Sequence, residues 1–255
     1  MLMVDGVPGN SVKALGIIPA RYQSSRFPGK PLIEILGVPM LKRTYLQAKK
    51  SASLSKLIIA TDDCRIFDYC ISENMPVTMT SDSCMTGTDR LAEVVLQDEY
   101  NHYDIYINIQ GDEPVIDPRV ISQIINEYKE YKDQYIAYNL YKVISDEKEI
   151  NSDTIIKVIV DEKDELMYMS RLPVPYSKSG VSPEHKQQIP VYGYTINALE
   201  LFSKQKKTIN EQYEDIELLR FIDLGYKIKM CETNATSISV DVPDDVRKIE
   251  KLINN

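Results

Sequence analysis

Leu15-Gly-Ile-Ile-Pro-Ala-Arg-Tyr-Gln-Ser-Ser-Arg-Phe-Pro-Gly-Lys-Pro-Leu32 carries two kinds of chemistry in one run. Its first residues are apolar and β-branched, which predicts a buried strand over 14–19. The chain then breaks into a loop holding Arg21, Arg26 and Lys30, the hydroxyls of Ser24 and Ser25, and the Pro28-Gly29 turn. A strand that opens into a basic, turn-rich loop is suited to holding a phosphate chain. A solvated basic loop is the simpler alternative at this point.

Outward from this stretch, the pattern alternates. Residues 40–51 show apolar positions at helical spacing and 56–61 a second strand ending at Asp62-Asp63. A helix is expected over 64–73, a short strand over 76–79, a helix over 88–98 and a β-branched strand over 105–109. That last strand runs into Gln110-Gly-Asp-Glu-Pro114. Strands alternating with helices of this length predict an α/β fold with a mostly parallel sheet covered on both faces. Further along, strands are expected over 137–143, 154–160, 192–198 and 226–231, with an irregular, proline-bearing segment over 170–190. A single amphipathic helix is expected over 213–222, closed by Gly225, and a last helix over 243–254. Residues 1–13 are expected to be a loose extension of one domain spanning 14–255.

Composition limits the partners. With 255 residues and 43% hydrophobic content the chain can bury one substantial core. Its net charge of −8, from 38 acids against 30 bases, excludes a broad nucleic-acid-binding surface. In such a chain Arg21 to Lys30 form a local positive spot, which suits a small anionic ligand. No apolar run is long enough to cross a bilayer, and no secretory signal is visible, so a cytoplasmic protein is expected. The four cysteines show no C-x-x-C spacing and there are two histidines, so reduced thiols are expected rather than a structural zinc site.

Three polar clusters follow predicted strand ends: Arg21–Lys30, Asp62-Asp63 and Gln110–Glu113. Ligands of open parallel sheets bind at such ends. The first loop matches neither G-x-x-x-x-G-K-[ST] nor G-x-G-x-x-G, so the site is of another type. Asp112 and Asp241 both sit at strand-to-helix junctions and together suit a magnesium ion shared with substrate phosphates. Each also fits a helix cap or Asx turn. Met85-Thr-Gly-Thr-Asp-Arg90 fits either a base- or ribose-reading turn or an ordinary helix start capped by Thr88. Arg171 and Tyr192 are candidates for an anionic acceptor.

Taken together, these segments resemble the 3-deoxy-manno-octulosonate (KDO) cytidylyltransferases, or CMP-KDO synthetases, over about residues 15–252. The resemblance is carried by residues 17–32, Ala60-Thr-Asp62, Gly87-Thr-Asp-Arg-Leu-Ala-Glu-Val94, Asn108-Ile-Gln-Gly-Asp-Glu-Pro114, Ser170-Arg171, Tyr192-Gly-Tyr194 and Val240-Asp-Val-Pro-Asp244. It implies a nucleotide-diphospho-sugar-transferase-like three-layer fold, with a CTP-binding part over about 14–120 and a smaller sugar-binding and dimerisation lobe over about 135–230. It implies CTP at Arg21, Ser25, Arg26, Lys30, Thr80, Gly87, Thr88, Arg90 and Gln110, and magnesium at Asp112 and Asp241. It implies a sugar acid facing Arg171, Gln188, Tyr192, Glu214 and Glu217. Lys30, Asp112 and Asp241 would carry the transfer, in a homodimer.

The chain departs from the family pattern at Gln188, Pro190, Thr195 and Leu218, all in the acceptor half. The expected activity is therefore activation of KDO or a close analogue with CTP. A different ulosonic or nonulosonic acid, or an inactive CTP-binding regulator, are the alternatives.

Overall fold

Ala14–Ala20 (β1) is buried along almost its whole length, as a continuous apolar run must be when helices cover both faces of a parallel sheet. The computed structural model describes residues 12–23, 27–235 and 238–254. The expected extension therefore lies outside the described residues except for Val12 and Lys13, and so do Ser25 and Arg26.

After a short 3-10 turn the chain forms a small hairpin, Glu34–Ile35 (β2) and Val38–Pro39 (β3), then the helix Met40–Ala48 (α1). Lys56–Thr61 (β4), Cys64–Ser72 (α2), Val77–Met79 (β5), Gly87–Val95 (α3), Ile105–Ile109 (β6) and Pro118–Glu130 (α4) continue the alternation. The second half comprises Ala137–Ile144 (β7), Glu147–Asn151 (α5), Lys157–Val160 (β8), Leu166–Ser170 (β9), His185–Tyr194 (β10), Ile196–Lys204 (α6), Ile209–Glu214 (α7), Leu218–Asp223 (α8), Ile228–Glu232 (β11) and Pro243–Asn254 (α9).

Among the described residues nine strands make one sheet, ordered β11-β7-β10-β6-β1-β4-β5, with β8 on β10 and β9 on β8. Strands β6, β1, β4 and β5 are mutually parallel, and β10 runs antiparallel between β6 and β7. This is the mostly parallel, three-layer α/β architecture that the alternation predicts.

The two faces follow from the strand period of two. Ile18, Ile59 and Ile107 face one core with Leu41 of α1 and Ile121 and Ile124 of α4. Their neighbours Ile17, Ile58 and Tyr106 face the other, with Leu91 of α3 and Leu199, Phe202 and Phe221 of α6 and α8. Each such side chain taken from water contributes about 1.5–3 kcal/mol. A third, smaller cluster joins Ile35 and Met40 to Val240 and Ile249. It packs α9 against the hairpin after the first loop, and so brings the C-terminal segment beside residues more than 200 positions earlier.

Four expectations change. The stretch between residues 114 and 137, where no element was expected, holds α4, started by the Asp117 carboxylate on the Arg119 N–H at 2.9 Å, with Pro118 in the first turn. The strand expected over 192–198 ends at Tyr194. The Thr195 hydroxyl accepts from the Ala198 N–H at 3.2 Å and starts α6. The same strand reaches back to His185, through part of the segment expected to be irregular. Finally, the helix expected over 213–222 is two helices, because Asp215 adopts φ of +52° and turns the chain between them. Gly225 follows α8 at φ of +81°, the left-handed position that favours glycine.

Candidate functional site

The parallel strands β1, β4 and β6 deliver their C-terminal ends to one side of the sheet, and the three polar clusters follow those ends. Gly29, at φ of +72°, donates its N–H to Tyr22 O at 2.9 Å, folding the first loop back on itself. The turn points Lys30 across the cleft. Its Nζ donates to Asp112 Oδ2 at 2.7 Å and to the Val240 carbonyl at 2.9 Å. The Val240 N–H in turn donates to Asp112 O at 3.0 Å. Three segments far apart in sequence thus meet at one ammonium and one carboxylate.

Gly111 sits where the loop after β6 passes close to another strand. Its close neighbour is the Pro19 carbonyl, 3.0 Å from where a Cβ would stand. The glycine lets the loop after β6 pack on the end of β1, which sets the position of Asp112.

Asp241 lies beside this pair, just before α9. The Asp241 and Val242 N–H groups donate to the Asp245 carboxylate at 3.0 and 3.1 Å, so Asp245 closes the start of the helix. The Asp241 side chain accepts from Ser239 Oγ at 3.2 Å and lines the cleft. The cap alternative thus falls to Asp245 here, and Asp112 is held by Lys30.

Two cavities share this point. The first, about 270 Å³, is lined by Arg21, Lys30, Gly87, Arg90 and Gln110 together with Asp112 and Asp241. Thr80 and Thr88 do not line it. The Arg90 guanidinium donates to Thr80 Oγ1, and to Asp62 Oδ2 at 3.0 Å, so Thr80 and Asp62 hold the arginine in place. Thr88 is buried, its hydroxyl 3.3 Å from Tyr194 Oη, and its N–H donates to Glu217 Oε2 at 3.2 Å. The cap of α3 is Thr86, which forms a capping box with Asp89.

Sequence reasoning missed Glu93, whose carboxylate accepts from the Ser81 N–H at 2.7 Å and from Cys84 Sγ at 3.1 Å. These two bonds tie residues 81–84 to α3, next to Cys84 and Met85 of the cavity wall. Burial and the Glu93 carboxylate push the Cys84 thiol up to about 12.

The second cavity, about 690 Å³, contains Gln110, Asp112 and Asp241 in its lining as well, along with Arg171, Gln188, Tyr192 and Glu217. Glu214 is not part of that lining. Its carboxylate accepts from Ser170 Oγ and the Arg171 N–H, both at 2.8 Å, and ties the end of β9 to α7. Arg171 itself donates to the carbonyls of Glu214 (2.6 Å), Asp153 (3.0 Å) and Asp215 (3.3 Å). Gln188 is 5% exposed, and its Nε2 has no hydrogen-bond partner among the described residues. Burial and the neighbouring Glu217 raise the Tyr192 phenol above its ordinary range, and burial raises the Glu217 carboxyl.

The four departures from the family pattern sort by place. Pro190 stands at a register shift of β10, where Asn139 Nδ2 donates to the carbonyls of Ile189 (2.9 Å) and Val191 (2.7 Å). A bulge of this kind tolerates a residue without an N–H. Thr195 caps α6, and Leu218 is fully buried in the apolar core. Gln188 and Pro190 are the two that line the cavity. Glu113 of the Gln110–Glu113 cluster lines it too, as do Lys142 and Lys248, which were not anticipated.

Asp112 and Asp241 supply two carboxylates at the junction of the cavities. No cluster of three or more candidate ligands occurs among the described residues. Two carboxylates completed by phosphate oxygens and water match the way magnesium is held, so the donor set fits.

A family model described as cytidylyltransferase matches residues 15–230. The 3-deoxy-manno-octulosonate cytidylyltransferase of Protochlamydia amoebophila is 38% identical, over 94% of this chain and 93% of its own length. The 8-amino-3,8-dideoxy-manno-octulosonate cytidylyltransferase of Shewanella frigidimarina is 36% identical, over 94% and 98%. A solved structure of a CMP:2-keto-3-deoxy-manno-octonic acid synthetase complexed with CTP superposes with a TM-score of 0.88 at 33% identity, covering 95% of this chain and 98% of that one.

Proposed function

This chain belongs to the cytidylyltransferase family, and from that premise we propose that it transfers CMP from CTP to a 2-keto-3-deoxy sugar acid, KDO or a close analogue, with release of pyrophosphate. The observation that carries this is the meeting of the two cavities at Asp112 and Asp241, with Lys30 bonded to the first of them. A nucleotide in the smaller cavity and an acid in the larger one would bring their reacting atoms together there.

In this reading Arg21 and Lys30 neutralise the triphosphate, and Ser25 and Arg26 belong to the same loop. The Gly87–Arg90 turn and Gln110 border the ribose and base, with Thr80 acting through Arg90. Arg171, Tyr192, Gln188 and Glu217 border the acid. The anomeric oxygen bonds to the α-phosphorus, its proton departs, and the bond from that phosphorus to pyrophosphate breaks. Lys30 offsets the charge that builds on the leaving group. The protein thus works by positioning and neutralising, with no covalent intermediate on the chain. Asp112 and Asp241 would hold magnesium, which when bound polarises the phosphate and lowers the pKa of the attacking hydroxyl.

The acceptor is the finer question, because relatives of similar identity are named for KDO and for its 8-amino analogue. Pyrophosphate release with CTP and magnesium against KDO, 8-amino-KDO and other ulosonic acids tests the proposal. Turnover with at least one acid of this class is expected. CTP binding without turnover on any acid would favour the regulator instead.

We further propose a homodimer. Met167 of β9 and Leu172, Tyr176 and Val181 after it are large apolar side chains exposed on the part of the chain that borders the acceptor cavity. Large apolar side chains exposed together over one segment supply the kind of surface that a second copy would cover.

A further inference from the structure

One wall of the larger cavity has little apolar anchoring. Glu149, Thr154 and Ile155 form part of it, on α5 and the chain that follows. The helix α5 buries none of its residues, and Asp153 and Thr154 are exposed. A segment with so little buried surface is held by its polar bonds or is loose. Two cations supply those bonds. Lys157 of β8 is fully buried, and its Nζ donates to the carbonyls of Ser152 and Ile155, both at 2.6 Å. A carbonyl between these two in sequence, that of Asp153, accepts from Arg171 Nη1 at 3.0 Å.

The partners of Lys157 are unusual for a buried charge. Among the described residues no carboxylate forms an ion pair with it, and its hydrogen bonds go to neutral carbonyls alone. An ammonium taken out of water on such terms is disfavoured, and an apolar side chain of similar length fills such a place without that penalty. A lysine here is explained by what its two bonds hold. Arg171 lines the cavity, and carbonyls frame its guanidinium from two sides. Those of Glu214 and Asp215 stand at the end of α7, and that of Asp153 stands on the segment that Lys157 holds. Moving the 152–155 backbone therefore removes one side of the frame.

We propose that Lys157 is a positioning residue for the acceptor, fixing the 152–155 backbone so that the Asp153 carbonyl orients the Arg171 guanidinium in the cavity. This rests on the reading of the larger cavity as the acceptor site. An arginine fork recognises an acid by direction as well as by charge, so a tilt of the guanidinium weakens acid binding. Lys157, Asp153 and Arg171 are all outside the lining of the smaller cavity, so the nucleotide is left as it was.

The test sets Lys157→Met, Arg171→Lys and the double variant beside the unaltered protein, with CTP, magnesium and KDO. Lys157→Met is expected to raise KM for the acid about tenfold and KM for CTP less than twofold. Arg171→Lys is expected to raise KM for the acid by itself. Adding Lys157→Met to it is expected to cost less than a further twofold, because the fork to be oriented is gone. A merely structural lysine would raise both KM values together and would multiply with the arginine change. A rise for the acid less than five times that for CTP, or a further twofold or more in the double variant, overturns the proposal. Thermal melts come first. Lys157→Gln, one bond shorter than the ammonium and uncharged, replaces a methionine form that lacks a cooperative melt, under the same criteria. If neither folds, the lysine is a general requirement of the structure and the proposal falls. If the unaltered protein turns over no acid, the transferase reading fails by itself. Calorimetric binding of KDO then decides the Lys157 proposal, which stands if the acid binds and Lys157→Met weakens it at least fivefold, and falls otherwise.

Discussion

Lys30 and Asp112 show how little a contact says until its surroundings are known. Their bond is 2.7 Å long, yet the side chains remain 17% and 25% exposed, so the pair is partly screened and contributes about 1 kcal/mol or less to stability. The value of Asp112 lies in its charge at the junction of the cavities. Asp112→Asn keeps an oxygen for Lys30 and removes the anion that would hold magnesium. Turnover is expected to fall about 1000-fold, the several kcal/mol of charge stabilisation that a held metal supplies, with the melting temperature nearly unchanged. Steady-state pyrophosphate release beside a thermal melt checks both halves, and near-normal turnover would separate Asp112 from the reaction. Glu217 carries a pH prediction. Burial raises its carboxyl above the ordinary range, so the folded state binds its proton more tightly than the unfolded state does. That contribution is fully present below the unfolded pKa and is lost as pH rises through the folded one. Glu217→Gln keeps an oxygen for the Thr88 N–H without the charge, so its stability relative to the unaltered protein is expected to improve as pH climbs out of the carboxylate range. Paired melts across pH 4 to 8 read the difference, and parallel curves would refute it.

At the scale of elements, α3 does more than pack. Glu93 ties Ser81 and Cys84 to the helix, and those residues form one wall of the smaller cavity. Glu93→Gln replaces one carboxylate oxygen with a donor facing the Cys84 thiol, which loosens the wall without touching the junction at Asp112. KM for CTP is expected to rise about tenfold, a change of about 1.4 kcal/mol, while kcat and KM for the acid hold. Equal changes in all three constants would point to a general loss of structure. What the sequence disclosed follows the same division. Strands β1, β4 and β6 were legible because β-branched runs ending in polar clusters leave few other options. The start of α4 also carries a local signal, the Asp117 cap followed by Pro118 in the first turn. The break of 213–222 was not legible: it depends on Asp215 taking a left-handed backbone that leaves the apolar spacing intact. Glu93 was equally hidden, because its pairing with the Ser81 N–H and the Cys84 thiol decides its role, and that is not written in local pattern.

Over the whole molecule, one sheet passes beneath both cavities, and the small cluster of Ile35, Met40, Val240 and Ile249 carries the C-terminal segment back to the first loop. That return completes the junction inside a single chain, so the part of the molecule around β8 and β9 is left to face outward. There Leu172 is 70% and Tyr176 88% exposed. With a net charge of −8, two copies would repel one another over most of their surfaces, so association has to rest on an apolar patch where charge is sparse. Light scattering is expected to give twice the chain mass of 29.2 kDa. Leu172→Asp, which sets a charge among those exposed apolar side chains, is expected to shift the population to monomer at micromolar concentration. Because Leu172 follows directly on Arg171, loss of the dimer is also expected to raise KM for the acid more than KM for CTP. A monomeric unaltered protein removes the homodimer and leaves the transferase reading standing; a dimer indifferent to Leu172→Asp moves the interface elsewhere on the chain.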